Sequence, residues 1–253
     1  PFRSGCAMKI TVCELPDARK SFDSAWGDLV EHVRGAHGDL VVLPDMPFSS
    51  WFASSDRFDR EVWAAAVRAH DEGEHRLREL SPAIVIASRP VDFGNERYDE
   101  GFLWEEPLGV LSLHAKSFLP DTKGAREGSW YDSATAEFTP VEVRGLRIAM
   151  LMGAEIWAPR AYEAETVDIL AMPRAGDGSK NEEYLERACS LARQAHAYAV
   201  SSNRSGAFGG QGWIVSPEGR VLGKTSADQP FVSMEVALHP TGREERYFDV
   251  FAQ

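Results

Sequence analysis

Three places in the sequence carry residue types that could do chemistry together. An acid, Asp45, stands directly after the run Asp39-Leu40-Val41-Val42-Leu43-Pro44; a lysine, Lys116, lies in the segment LHAKSFLPD; and Arg147 to Arg160 reads RIAMLMGAEIWAPR. In that last stretch an aliphatic run stops at Gly153 and restarts as Ile156-Trp157-Ala158-Pro159, the pattern of a buried strand, a tight turn and a helix entry. Such a turn exposes its apex residue, and several hydrolase folds place a nucleophile there. Here the apex is glycine, which has no group to react, and a plain strand-to-helix connection would also use glycine for its backbone angles. Asp45 precedes a loop rich in aromatics and proline (MPFSSWF), where it either faces a pocket or caps a turn. Lys116, taken alone, reads as a solvated lysine at a strand end.

The elements that must position these residues follow from periodicity. Met8 to Leu15 alternates as a first strand, and Phe22, Trp26, Leu29, Val30 and Val33 mark one apolar face of a helix ended by Gly35 and Gly38. Leu40 to Leu43 reads as a strand buried on both faces. Glu61 to Leu80 is helical by pattern, with Val62, Trp63, Val67 and Leu77 toward the core, and Ala83 to Ser88 is another buried strand. Glu96 to Trp104 and Gly109 to His114 form a strand pair joined near Pro107. Further strands are expected at Val167 to Met172, Tyr198 to Arg204, Trp213 to Val215, Val221 to Leu222 and Phe231 to Leu238, with a helix over Glu182 to Ala197.

At 253 residues, 43% hydrophobic and 26% charged, the chain is an ordinary globular sequence, and one domain over 8–253 is expected. Pro1 to Ala7 stand outside the apolar pattern and read as an expression scar before a native start at Met8. The net charge of -12 argues against a general nucleic-acid binder, while leaving room for a small anionic ligand beside one local cation. With no apolar run near the ~20 residues of a membrane span and no signal-peptide core, a cytoplasmic protein is expected. Cys6, Cys13 and Cys189 fit neither a disulfide framework nor a metal knuckle, and the histidines form no ligand cluster, so neither metal nor cofactor is expected. His114 reads as structural. The glycines from Gly206 to Gly212 are followed by no lysine at phosphate-loop spacing.

Four segments taken together, DLVVLPDMPFSSWF, LHAKSFLPD, RIAMLMGAEIWAPR and SSNRSGAFGGQGWIVSPEGRVLG, resemble the nitrilase, or carbon-nitrogen hydrolase, superfamily in order and spacing. The likeness runs from Met8 to about Leu238. It implies an α/β fold, the four-layer α-β-β-α sandwich in a single domain, and a site in which a glutamate is general base, a lysine stabilises the oxyanion, a second glutamate orients the site and a cysteine attacks. Carried over, Asp45 is the base position, Lys116 the lysine, Glu127 the second acid and Gly153 the nucleophile position. Trp51, Trp130, Tyr131, Ala154, Glu155 and Trp157 are the candidate substrate-binding residues, the aromatics walling a pocket or packing in the core.

Two departures carry chemical weight. Without a thiol the covalent route is closed, and neither Cys13 nor Cys189 is placed to substitute. Asp45 is one methylene short of glutamate, and a shift near 1 Å can lower a rate about a hundredfold. Arg160 also stands where many members carry glutamate. Either an experimenter removed the cysteine or the gene lost it. The resemblance implies an amidase-type enzyme acting on a small carboxamide; the alternative is a naturally cysteine-less protein that binds a small amide or carboxylate, or does non-covalent acid-base chemistry there. A homodimer or larger homo-oligomer, without nucleic-acid or membrane partners, completes the expectation.

Overall fold

The computed structural model describes residues 7–119, 121–122, 125–135, 138–158 and 167–238. Arg160 and residues 1–6 of the expected N-terminal scar lie outside them. The chain opens with strand β1 (Ala7–Pro16) and helix α1 (Arg19–Ala36), which buries Phe22, Trp26, Leu29, Val30 and Val33 as their spacing predicts. The helix continues through Gly35, and His37, left-handed at φ 55°, ends it. β2 (Leu40–Val42) follows, then α2 (Arg60–Leu77), whose first turn is capped by Asp59 accepting from the N–H groups of Glu61 and Val62. A cap of this kind stabilises a helix by about 1 kcal/mol. On α2 the buried stripe is Trp63, Ala66, His70, Gly73 and Leu77. Val62, expected in the core, is 41% exposed, because with Trp63 turned inward its neighbour is rotated about 100° away.

β3 (Ile84–Phe93), β4 (Glu96–Glu105) and β5 (Gly109–Ala115) form an antiparallel meander. A small pair, β6 (Asp121–Thr122) and β7 (Ala125–Arg126), precedes β8 (Val141–Val143) and β9 (Leu146–Met150). Next come β10 (Ile169–Pro173), α3 (Asn181–Ala195), β11 (Tyr198–Ser205), β12 (Trp213–Val215), β13 (Val221–Lys224) and β14 (Phe231–Ala237). In place of the expected helix entry after Gly153 there is a five-residue 3-10 turn, Gly153–Trp157.

Strand pairing makes two sheets that share β1. Residues Ala7 to Cys13 of β1 lie antiparallel to β14, with Ile10 to Val12 parallel to β2; beyond Cys13 the strand pairs instead with β11 through Glu14, Leu15 and Pro16. The first sheet continues through β3, β4 and β5, and the second through β10, β9 and β8. Side chains alternate across a strand, and the clusters sort accordingly. Ile10, Val12, Leu40, Val42, Ile84 and Ile86 of the first sheet face Ile148, Met150, Ile169, Ala171, Val200 and Ile214 of the second. Val41, Leu43, Val85 and Ala87 turn the other way, onto Phe22, Trp26 and Leu29 of α1. Leu151, Leu170, Met172 and Ala199 likewise pack on Leu185, Ala188 and Leu191 of α3. The result is an α-β-β-α sandwich with its largest core between the sheets.

Candidate active site

The strands of the first sheet deliver an acid cluster around one lysine. Asp45 follows β2 by three residues, Asp99 lies on β4, Lys116 comes immediately after β5, and Glu127 begins a short 3-10 turn. Lys116 Nζ is 2.9 Å from Glu127 Oε2, 3.4 Å from Asp45 Oδ2 and 3.5 Å from Asp99 Oδ2. All four side chains are buried, the lysine completely. The ammonium thus lies within ion-pair distance of all three carboxyls, nearest to Glu127. Backbone bonds fix the frame: the Lys116 N–H donates to the Asp99 carbonyl (2.9 Å), and the N–H groups of Trp130 and Tyr131 to the Glu127 carbonyl. On the far side of Asp45, the Ser88 hydroxyl donates to Oδ1 and accepts from the Met46 N–H (3.0 Å).

Three carboxylates against one ammonium leave two surplus negative charges in a dry site if all ionise, so the cluster retains protons. Burial, then the charge of Asp45, pushes the Asp99 carboxyl well above its ordinary range. Burial also raises Glu127, against the pull of Lys116. For Lys116 burial acts downward, but Glu127, Asp45 and Asp99 together overcome it and hold the ammonium charged far above its usual range. Among the described residues no group of three potential ligands is placed to hold a metal ion. The lysine head occupies the cation position among these acids.

The second sheet delivers Gly153, just beyond β9, where Leu151 N–H still donates to the Ala171 carbonyl of β10. Its φ of 51° is left-handed. A Cβ built on Gly153 would lie 3.2 Å from Lys116 Nζ and 3.9 Å from Asp45 Oδ2. Gly153 is half-buried, unlike the four charged groups behind it, so approach to the lysine is from the turn. This geometry can polarise a carbonyl through Lys116 and sets the Asp45 carboxyl beside position 153, but that position presents no nucleophile.

Comparisons with solved structures decide the architecture. The chain superposes on a carbon-nitrogen hydrolase from Helicobacter pylori G27 with TM-score 0.80 at 17% identity, over 91% of this chain and 89% of that one. The fold is the carbon-nitrogen hydrolase fold. An amidase from Nesterenkonia sp. AN1, in a form where acrylamide has added to the active-site cysteine, matches with TM-score 0.73 at 18% identity, over 90% of this chain and 93% of that one. A CN-hydrolase superfamily protein from Xanthomonas campestris with an arsenic adduct in its active site matches with TM-score 0.72 at 15% identity, over 91% of each. No protein-family model matches the sequence, and neither does any curated protein.

On this carbon-nitrogen hydrolase fold Asp45, Lys116, Glu127 and Gly153 come together. Lys116, which alone reads as a solvated residue, is fully buried. Of the candidate substrate contacts, Tyr131 is adjacent, its ring 6.0 Å from Lys116 Nζ. Trp130 is buried in an aromatic cluster with Phe52 and Phe58, its Nε1 donating to the Ser55 carbonyl. Trp51 stacks on Phe52. Trp157 is 44% exposed and stands edge-on to Tyr184, and Ala154 is half-buried beside Gly153.

Glu155 ties two parts of the site together. Its buried carboxylate accepts from the N–H groups of Met152 (2.9 Å) and Ser117 (2.7 Å), from the Ser117 hydroxyl and from His114 Nε2 (2.9 Å). It thereby links the turn carrying Gly153 to the strand end carrying Lys116. Burial opposes ionisation of Glu155, but the hydrogen bonds, His114 foremost, hold its carboxyl below the ordinary range.

Asp99 and Ser88 escaped the sequence reading. The signal was alternation: Ser88 continues the inward series Ile84 and Ile86, and Asp99 shares its face with Gly101 and the inward Leu103. A Cβ at Gly101 would run into Met150 Sδ of the facing sheet.

Proposed function

We propose that the chain is a carbon-nitrogen hydrolase of amidase type whose acyl-transfer step is dormant for want of a thiol at position 153. The observation that carries this reading is the placement of the absent side chain. A Cβ at 153 falls 3.2 Å from Lys116 Nζ and 3.9 Å from Asp45 Oδ2, beside the pair, where a thiol would meet an oxyanion stabiliser and a base at once. With such a thiol, Asp45 takes its proton, the sulfur attacks the carboxamide carbon, and Lys116 stabilises the oxyanion. The proton then passes to the leaving ammonia, and water activated by Asp45 releases the acid. Without it, the site holds a small carboxamide with its carbonyl toward Lys116. Amidase chemistry among the structural neighbours supports the choice of substrate class. Operation as a cytoplasmic homodimer belongs to the same proposal, and sedimentation velocity tests the oligomer.

A second reading has its own support. The left-handed backbone of Gly153 and the 3.2 Å contact of its notional Cβ with Lys116 both suit glycine. This is what a naturally cysteine-less site for ligand binding or non-covalent acid-base chemistry would show. Ammonia release by the Gly153→Cys protein from propionamide and butyramide separates the two. Turnover supports the amidase reading. Absence of turnover, with butyramide still raising the melting temperature of the unaltered chain, supports the second.

A further inference from the structure

Arg204, on β11, is 2% exposed, and its guanidinium is engaged on three carbonyls of the segment that carries Asp45 and on one carboxylate outside it. Arginine has five N–H donors in a planar fork. Nε and Nη2 donate to the Asp45 carbonyl at 3.2 and 2.9 Å, Nη2 also to the Met46 carbonyl, and Nη1 to the Ser49 carbonyl at 2.9 Å and to the Asp17 carboxylate. Met46, next to the acid, sits at φ 44°, in the left-handed region that strains a residue with a side chain. That bend turns the chain sharply after β2, and its carbonyls converge on one cation. The Ser88 hydroxyl holds the same bend from the other side through the Met46 N–H and Asp45 Oδ1.

We propose that Arg204 is a positioning residue: by clamping the strained Asp45-Met46 bend it sets the Asp45 carboxylate beside Lys116 and position 153. The inference rests on the acid-base reading of the site given above. Lysine cannot replace the fork, since its three donors radiate from one point and lack the planar spread. Releasing the clamp lets the bend relax and swings the carboxylate away.

The test uses the Gly153→Cys protein and measures the rate of iodoacetamide alkylation at position 153 against pH, read by peptide mapping. Cys13 stays silent, because burial pushes its thiol up to about 12. A carboxylate beside the introduced thiol opposes thiolate formation, so moving it away lowers the alkylation midpoint. Adding Arg204→Lys is expected to lower the midpoint by about one pH unit, as adding Asp45→Asn does. A purely structural arginine would lower the melting temperature and leave the midpoint in place, and that result overturns the proposal. If Arg204→Lys does not fold, Asp17→Asn loosens the same guanidinium from a half-exposed position, and an unmoved midpoint there overturns it equally. Should Asp45→Asn itself leave the midpoint unmoved, the acid-base reading falls first, whatever Arg204 does.

Discussion

Asp99 Oδ2 lies 3.5 Å from Lys116 Nζ, and neither oxygen of Asp99 makes a hydrogen bond. A buried carboxyl in that position is easier to keep neutral than charged. Its folded-state pKa lies above the unfolded one, so the unfolded chain releases this proton first as pH rises. Stability from this group is therefore intact below the ordinary aspartate range and is lost as pH climbs toward the raised value. Asp99→Asn removes the effect. Urea midpoints measured across pH should fall less steeply in the variant on the alkaline side, and parallel curves would show that Asp99 is ionised in the native protein.

Removing the lysine should be far worse than removing one acid. Lys116→Met leaves Asp45, Asp99 and Glu127 buried with no cation, and breaking a buried ion cluster from one side costs about 3–5 kcal/mol. The loss should shrink as pH falls, because the carboxyls then take up protons. Denaturant unfolding at neutral and acidic pH checks both magnitude and trend.

Glu155→Ala should loosen the turn from the strand that carries Lys116. The N–H groups of Met152 and Ser117 would lose their acceptor, and unsatisfied buried donors cost about 1–3 kcal/mol each. Because the folded pKa of Glu155 is lowered, its contribution is present above the ordinary glutamate value and disappears as pH falls through the folded one. The destabilisation by Glu155→Ala should thus be largest at neutral pH. Guanidinium titrations at two pH values measure it.

Gly153→Ala isolates the backbone from the chemistry. A methyl at φ 51° costs about 1–2 kcal/mol, and it would press on Lys116 Nζ. A thermal shift close to zero would mean that the turn relaxes to accommodate a side chain.

Much of this was legible in the sequence, for physical reasons. Leu40 to Leu43, Ile84 to Ala87 and Ile169 to Met172 are continuous aliphatic runs, and strands covered on both faces must read that way. The helices declared themselves through stripes such as Phe22, Trp26, Leu29 and Val33. Asp45, Lys116 and Gly153 stand at strand ends, where a change of composition marks the site. Asp99 was hidden because it sits among Glu96, Arg97, Tyr98 and Glu100 of a hairpin strand, and only the pleat separates the one inward acid from its solvated neighbours. Arg204 was hidden because most of its contacts are to carbonyl oxygens, which every residue possesses. Val141–Val143 is too short for alternation to be read.

The division of the site between two sheets has a consequence for how the chain can change over time. Asp45, Asp99 and Lys116 are carried by the first sheet and its strand ends, and position 153 hangs from the second. On the amidase reading proposed above, gain or loss of a thiol at 153 therefore demands no rebuilding of the strand ends opposite. Two glycine codons differ from the cysteine codons by a single base, so a dormant and a competent lineage of this protein would stand one transversion apart.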